Sequence, residues 1–384
     1  MPFEEGSVNF SALLVCLVSV LGAMLIVFLQ FNRSKENKGN LFLSLVLLQY
    51  VLYVFPDFLF VIGLLDDFPH AVRIYVVGSL LLGPMTYFYV RACTEEDFEI
   101  KGMMWLHFVP AVLDFLYQLP FYLLDGADKL PYFYDFFLEG QFQQPPLLTL
   151  FKIGQQLSYT ILSIWLVFKY RNHLNNRTSY IDMTFHRWLL LFCVALTIPT
   201  LAGFVFTFTD ANSSFLFLMI GIFLMIIVAF SLLVVKPSIF QRFPHQITEE
   251  DAVETKKEKY ESSKLQATQK EKYLQKLLTF VESEKPYEST DLTLAELSNQ
   301  IGIPPHYLSQ IINEKLNVNF LDFINGYRVK AAKEKLVDPK LTHYTILSIA
   351  YESGFNAKST FYAAFKKHTG MTPSQYRKGA TLVS

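Results

Sequence analysis

Followed from the N-terminus, apolar and polar positions fall into two regimes. Up to Val235 the chain alternates between long apolar runs and short polar breaks. Seven runs approach the roughly 20 residues that a helix needs to cross a hydrocarbon core. They are Val8 to Phe31, Leu41 to Leu65, Ala71 to Val90, Met103 to Leu124, Leu147 to Phe168, Trp188 to Phe208 and Phe215 to Val235. The last contains no charge, whereas the fifth carries Lys152. Pro56, Pro84, Pro110, Pro120 and Pro199 fall inside runs, which a membrane bundle tolerates because neighbouring helices satisfy the freed carbonyls. The first run is read as a retained span, since Met1 to Ser7 carries Glu4 and Glu5 and lacks the basic residues of a signal peptide.

After Lys236 the pattern changes. From Glu249 to Lys285, 17 of 37 residues are charged, nine acidic and eight basic, which predicts a solvated connector. Its second half sets Tyr273, Leu274, Leu277, Leu278 and Val281 on one helical face, suited to packing on the following domain or to a short dimerising coil. Beyond it the sequence repeats itself. Leu294, Leu297, Ser298, Gly302 and Ile303 return 52 residues later as Ile346, Ile349, Ala350, Gly354 and Phe355; Leu308, Ile312, Phe320 and Phe323 return 53 later as Phe361, Phe365, Pro373 and Tyr376. A small residue at a close crossing, a glycine four positions on and an apolar corner residue are the parts of a helix-turn-helix.

Local signals agree. Thr293 and Glu296 have capping-box spacing, Pro304 or Pro305 suits the first turn of a helix, and Gly370 suits a helix end. Phe320, Phe323, Ile324, Tyr327 and Ala331 predict one helix from about Phe320 to Leu336, roughly 25 Å long at 1.5 Å per residue and about enough to set two recognition helices into successive major-groove segments, roughly 34 Å apart. The fold expected is all-α: a seven-helix transmembrane bundle over 1–235, a charged helical connector over 236–285 and, over 286–384, a soluble domain of two helix-turn-helix units joined by a long helix.

The run "IAYESGFNAKSTFYAAFKKHTGMTPSQYR", preceded by "YLSQIINEKLNVNFLDFINGYRVKAAKEKL", closely resembles the DNA-binding domain of the AraC/XylS family of bacterial transcription regulators. The resemblance covers about Asp291 to Lys378, and a known subgroup of the family carries multi-pass membrane domains. It implies a transcription regulator bound to double-stranded promoter DNA, with no catalytic residues, cofactor or metal. RNA polymerase and a second copy of the chain are candidate partners. With Leu308, Ile311 and Ile312 turned to the core, His306, Ser309, Gln310 and Asn313 face outward; with Phe361 and Phe365 as anchors, so do Lys358, Ser359, Tyr362, Ala363 and Lys366. The resemblance assigns this face to the groove.

Charge sharpens the picture. The formal net charge is −1 and 52% of the residues are hydrophobic, but from Arg328 onward ten Lys or Arg stand against three Asp or Glu, as phosphate binding requires. In the loops between runs, one alternating set holds Arg33, Lys35, Lys38, Arg91, Lys101, Lys169, Arg171, Arg177 and Arg187; the other holds Arg73 and Lys129. The positive-inside rule then puts the N-terminus outside, and everything after Val235 in the cytoplasm of a cell whose inner membrane anchors the chain.

Within the runs, Asp57, Asp114 and Lys152 are costly in lipid. They form either a structural ion pair or a pocket for an unknown small-molecule or envelope signal. Cys16, Cys93 and Cys193 lack paired or metal-ligand spacing, His107 and His186 read as interfacial, and Glu95 to Glu99 reads as a solvated acidic loop. A transporter or membrane enzyme with an appended regulatory DNA-binding module is the alternative function, and a passive tether a third. Neither a metal-protease motif, nor a nucleophile elbow, nor a phosphate loop is present to favour an enzyme.

Overall fold

The computed structural model describes residues 10–31, 38–95, 98–139, 145–181, 183–198, 220–224, 226–227 and 267–381. Most of the seventh apolar run, the second half of the sixth, Arg33, Lys35 and connector residues 236–266 lie outside them. Every named element among the described residues is helical. The chain divides into two compact units, Met1–Phe168 with Met183–Thr248, and Lys169–Asp182 with Glu249–Ser384.

The first unit contains α1 (Phe10–Phe31), α2 (Gly39–Val61), α3 (Leu82–Thr94), α4 (Val109–Tyr122), α5 (Gly126–Glu139), most of α6 (Pro146–Arg177) and α7 (Met183–Ala195). Helix α1 is apolar all round. Leu14, Val15, Val18, Leu25 and Leu29 are buried, while Leu13, Val20, Met24 and Val27 on the same helix are exposed. Such a helix suits lipid rather than water. It packs along α2, and Gly22 permits the approach, since a β-carbon there would stand 2.6 Å from Cγ2 of Val51.

Among the described residues three helical stretches, Phe10–Phe31, Gly39–Val61 and Pro69–Thr94, are long and apolar enough to cross a membrane; Gly102–Tyr122 with Gly126–Asp135, bent by 110°, makes a fourth if the pair is one span. The third stretch enters as a 3₁₀ segment, Ile74–Leu81, before α3 begins.

Lys129, assigned to a loop by the apolar pattern, instead lies on α5, buried, with Nζ donating to the carbonyl of Tyr122 at 3.0 Å and standing 2.8 Å from Nδ1 of His70. The chain turns back after Tyr122, so α5 packs against the 3₁₀ segment Pro69–Ala71 and the amine finds its acceptors inside. Helix α6 extends well beyond the predicted run, 32 residues in all, and its last turns from Lys169 belong to the second unit. At the two ends of the acidic loop, Lys38 and Lys101 stand 3.1 and 3.0 Å from Glu99, and Arg91 pairs with Glu95.

The second unit is built from α8 (Ala267–Glu284), α9 (Leu294–Ile301), α10 (Pro305–Lys315), α11 (Phe320–Val337), α12 (Ile346–Glu352), α13 (Lys358–Thr369) and α14 (Pro373–Thr381). The face predicted on α8 is used for packing: Leu277 and Val281 are buried in a cluster with Leu294, Leu297, Leu308 and Ile312, and Tyr273 and Leu278 pack against it. Phe320, Phe323 and Ile324 from the start of α11 complete this cluster. Val329, Ala332 and Leu336 from its other end enter a second one with Ile349, Phe355, Phe361 and Phe365.

The caps explain where these helices begin. Thr293 Oγ1 accepts from the Glu296 amide while the Glu296 carboxylate accepts from the Thr293 amide, closing the capping box. Asn319 and Thr345 cap α11 and α12 from their side chains. Gly302 and Gly370 end α9 and α13 in the left-handed region, at φ of 69° and 76°.

Candidate nucleic-acid interface

Each half of the second unit holds a pair of helices joined by a tight turn. In the first, α9 passes through Gly302 and Pro304 into α10, and the Ser298 hydroxyl, at the close crossing, donates to the carbonyl of Ile303. In the second, Gly354 at φ 89° follows α12, and Ser353 Oγ donates to the carbonyl of Ile349 at 2.7 Å. Both turns therefore satisfy backbone groups that the helix ends leave open.

Of the residues expected to face outward, those on α13 are mostly exposed and those on α10 mostly half-buried. On α10, Leu308, Ile311 and Ile312 are fully buried; Asn313 is exposed, and His306, Ser309 and Gln310 are half-buried. Asn313 Nδ2 donates to Ser309 Oγ at 3.3 Å and Gln310 Nε2 to Glu314 Oε1 at 2.9 Å. Lys270 on α8 stands 2.8 Å from the Glu314 carboxylate, and its hydrogen bond is the main cause holding that carboxyl below the usual range. On α13, Phe361 and Phe365 are buried anchors, Lys358, Ser359, Ala363 and Lys366 are exposed, and Tyr362 is half-buried with the Lys358 ammonium 5.7 Å from its ring centroid. The two faces offer amide, hydroxyl and ammonium groups of the kind that bind base edges and phosphates.

Not all ten cations are available to a phosphate, because two of them are spent on backbone carbonyls. Arg377 donates to the carbonyls of Tyr344 and Leu341 at 2.8 and 3.0 Å. Arg328, 1% exposed, donates to the carbonyls of Tyr287, Ser179, Ser289 and Thr290 and to the Ser179 hydroxyl. Burial pulls its guanidinium down to about 10, so it is still a cation at neutral pH. Lys367 is engaged too, 2.7 Å from both carboxylate oxygens of Asp322. These roles were missed in the sequence because the partners lie far along the chain.

Of the signal candidates, Asp114 and Lys152 meet, Nζ standing 2.8 Å from Oδ2 between α4 and α6. Ser79 donates to the same oxygen at 3.4 Å, Arg73 reaches Gln118 at 3.3 Å, and Gln155 donates to the carbonyl of Leu80 at 3.0 Å. Asp57 is buried on α2, with Tyr53 and Tyr75 as its electrostatic neighbours. His107 contacts the Tyr159 hydroxyl and His186 is buried. The three cysteines are free thiols, Cys93 and Cys193 buried.

Helices joined by tight turns around a shared long helix are the architecture of the helix-turn-helix class of DNA-binding domain. Comparison with known proteins agrees: residues 297–379 match the family model of a helix-turn-helix domain, and the C-terminal region is of the AraC/XylS type. Over 87 residues the chain is 40% identical to an uncharacterized HTH-type transcriptional regulator of Staphylococcus aureus (strain MSSA476), covering 23% of this chain and 11% of that one. It is 30% identical over 89 residues to the uncharacterized HTH-type transcriptional regulator YtdP of Bacillus subtilis (strain 168), with the same coverage. The chain thus spans about a tenth of the length of the curated relatives it matches. A solved structure of a protein of unknown function from Listeria innocua is 35% identical, covering 27% of this chain and 94% of that one, with a TM-score of 0.24.

Proposed function

We propose that this chain is a membrane-bound transcription regulator of the bacterial inner membrane, binding promoter DNA through two helix-turn-helix units and responding to a signal received by its transmembrane domain. The observation that carries the reading is the pair of outward faces on α10 and α13, within a region of AraC/XylS type. Asn313 and the half-buried Ser309 and Gln310 would read bases on one side; Lys358, Ser359 and Lys366 would hold phosphates and bases on the other.

Residues 1–235 would be the sensor, 236–285 the connector and 286–384 the DNA-binding domain. The membrane part of the proposal is supported by α1 being apolar on both its buried and exposed faces. Its orientation, N-terminus outside and DNA-binding domain in the cytoplasm, rests on the bias of Lys and Arg between alternate loops. The signal would act at Asp114 and Lys152. Asp114 Oδ1 and Gln118 Nε2 are buried without a hydrogen-bond partner, and orphaned polar atoms of this kind favour a polar ligand.

Solubilised full-length chain incubated with fragments of its source genome tests the reading. It should retain discrete promoter fragments, with affinity falling steeply as salt rises. Retention of no fragment above background would reject it. For the sensor, Asp114→Asn should abolish the transcriptional response while leaving DNA retention in place.

A further inference from the structure

One stretch of the second unit comes from elsewhere in the sequence. Residues 169–182 lie between parts of the chain that belong to the first unit, yet Thr178, Ser179 and Ile181 are buried. Their backbone is bonded as well. Thr178 pairs antiparallel with Thr293, and the Ser179 amide donates to the carbonyl of Leu292 at 3.1 Å. Arg328 closes over them, with Nη1 on the Ser179 carbonyl at 2.9 Å and Nη2 on its hydroxyl at 3.0 Å. The rest of the guanidinium binds Tyr287 and Ser289 carbonyls at 2.8 and 2.7 Å.

A planar cation with five fixed donors suits such a junction, since it can bind several carbonyls from two stretches of backbone at once. Removing residues 178–181 would leave a buried charge short of two acceptors, a costly arrangement. The ends of the segment continue directly into α6 and α7, and so into the first unit.

We propose that the surface formed by Arg328, Leu292–Thr293 and Tyr287–Ser289 is a docking site whose partner is the segment Thr178–Ile181 of the same chain, and that docking carries the state of the first unit to the DNA-binding domain. This deepens, and rests on, the regulatory reading above. The contacts lie at the start of α9, in the first helix pair, and in the middle of α11, the helix that enters the apolar clusters of both pairs. The outward faces of α10 and α13 take no part in them. Docking therefore holds the arrangement that reads DNA, and release of the segment loosens it.

The test uses full-length chain in native membrane vesicles, carrying Thr178→Cys together with Thr293→Cys, and Thr293→Cys alone as the control for loss of the cap. Mild oxidation should join the two positions within one chain, in a species of monomer mass. No cross-link, or one formed only between copies, overturns the docking. A second variant, Ser179→Pro, deletes the amide that donates to Leu292. Amide exchange at Leu292 to Glu296 should then quicken about tenfold and DNA retention weaken by about as much. Unchanged exchange overturns the docking, and unchanged DNA retention with quickened exchange overturns the transmission. Chains that cross-link within the monomer but retain no DNA in any form would overturn the DNA-binding proposal while the docking stands, so the two ideas fail separately.

Discussion

At position 354 a β-carbon would collide with the carbonyl oxygen of Tyr287 and stand 3.0 Å from Nε of Arg328, on a backbone held at φ 89°. Gly302 occupies the matching place in the first helix pair at φ 69°, but a β-carbon there would meet nothing nearer than Lys276 Nζ at 3.9 Å. The two glycines repeat in sequence and differ in consequence. Gly302→Ala should cost about 1 kcal/mol, the backbone penalty alone, whereas Gly354→Ala should cost more than about 3 kcal/mol because backbone must move as well. Thermal unfolding of the two variants, compared with the parent, measures the gap. Arg328→Lys should be destabilising by about 3 kcal/mol, since a point cation cannot reach the same set of carbonyls; full stability in that variant would contradict the role described for the guanidinium. The pair in the first unit has its own test. Lys152→Met should lower thermal stability more than the double change Lys152→Met with Asp114→Leu, because the single change strands a buried carboxylate.

Helix ends and helix faces were legible wherever the information was local. The capping box at Thr293, the glycine caps, the apolar face of α8 and the extent of α11 all follow from residues within a few turns of one another. Helix α5 was not, because Lys129 and Asp128 within "GADKLPYFYDFFLE" mark a loop by composition, and only the fold supplies the lysine with acceptors. Nor was the site's true charge. Arg328 finds Ser179 across 149 positions and Lys367 finds Asp322 across 45, separations that periodicity does not see. One element still departs from its local optimum: Gly326 lies inside α11, where a β-carbon would make ordinary contact with His368 at 3.5 Å. Gly326→Ala should therefore stabilise the chain by about 0.5–1 kcal/mol, through the smaller freedom of its unfolded state, read as a rise in melting temperature.

The two units have opposite surfaces. The first exposes large apolar side chains on α1, α4, α6 and α7, whereas in the second Val337, Tyr351 and Met371 are the exposed large apolar residues among those described. Anchored as proposed, a chain with these surfaces should extract from membranes with detergent and not with salt. Its DNA affinity should behave electrostatically. Lys358→Ala and Lys366→Ala should each weaken retention of every fragment by a similar factor and reduce the salt slope by about 1, while Asn313→Ala should weaken some sequences more than others. Binding measured across a salt series with each variant separates the two behaviours.

Because one end of α11 completes the first apolar cluster and the other end the second, neither cluster owns the helix that both require. Melting either would expose the rod on which its neighbour rests, so the two halves should share a single fate: one denaturation step, and damage to one core felt as lost protection in the other.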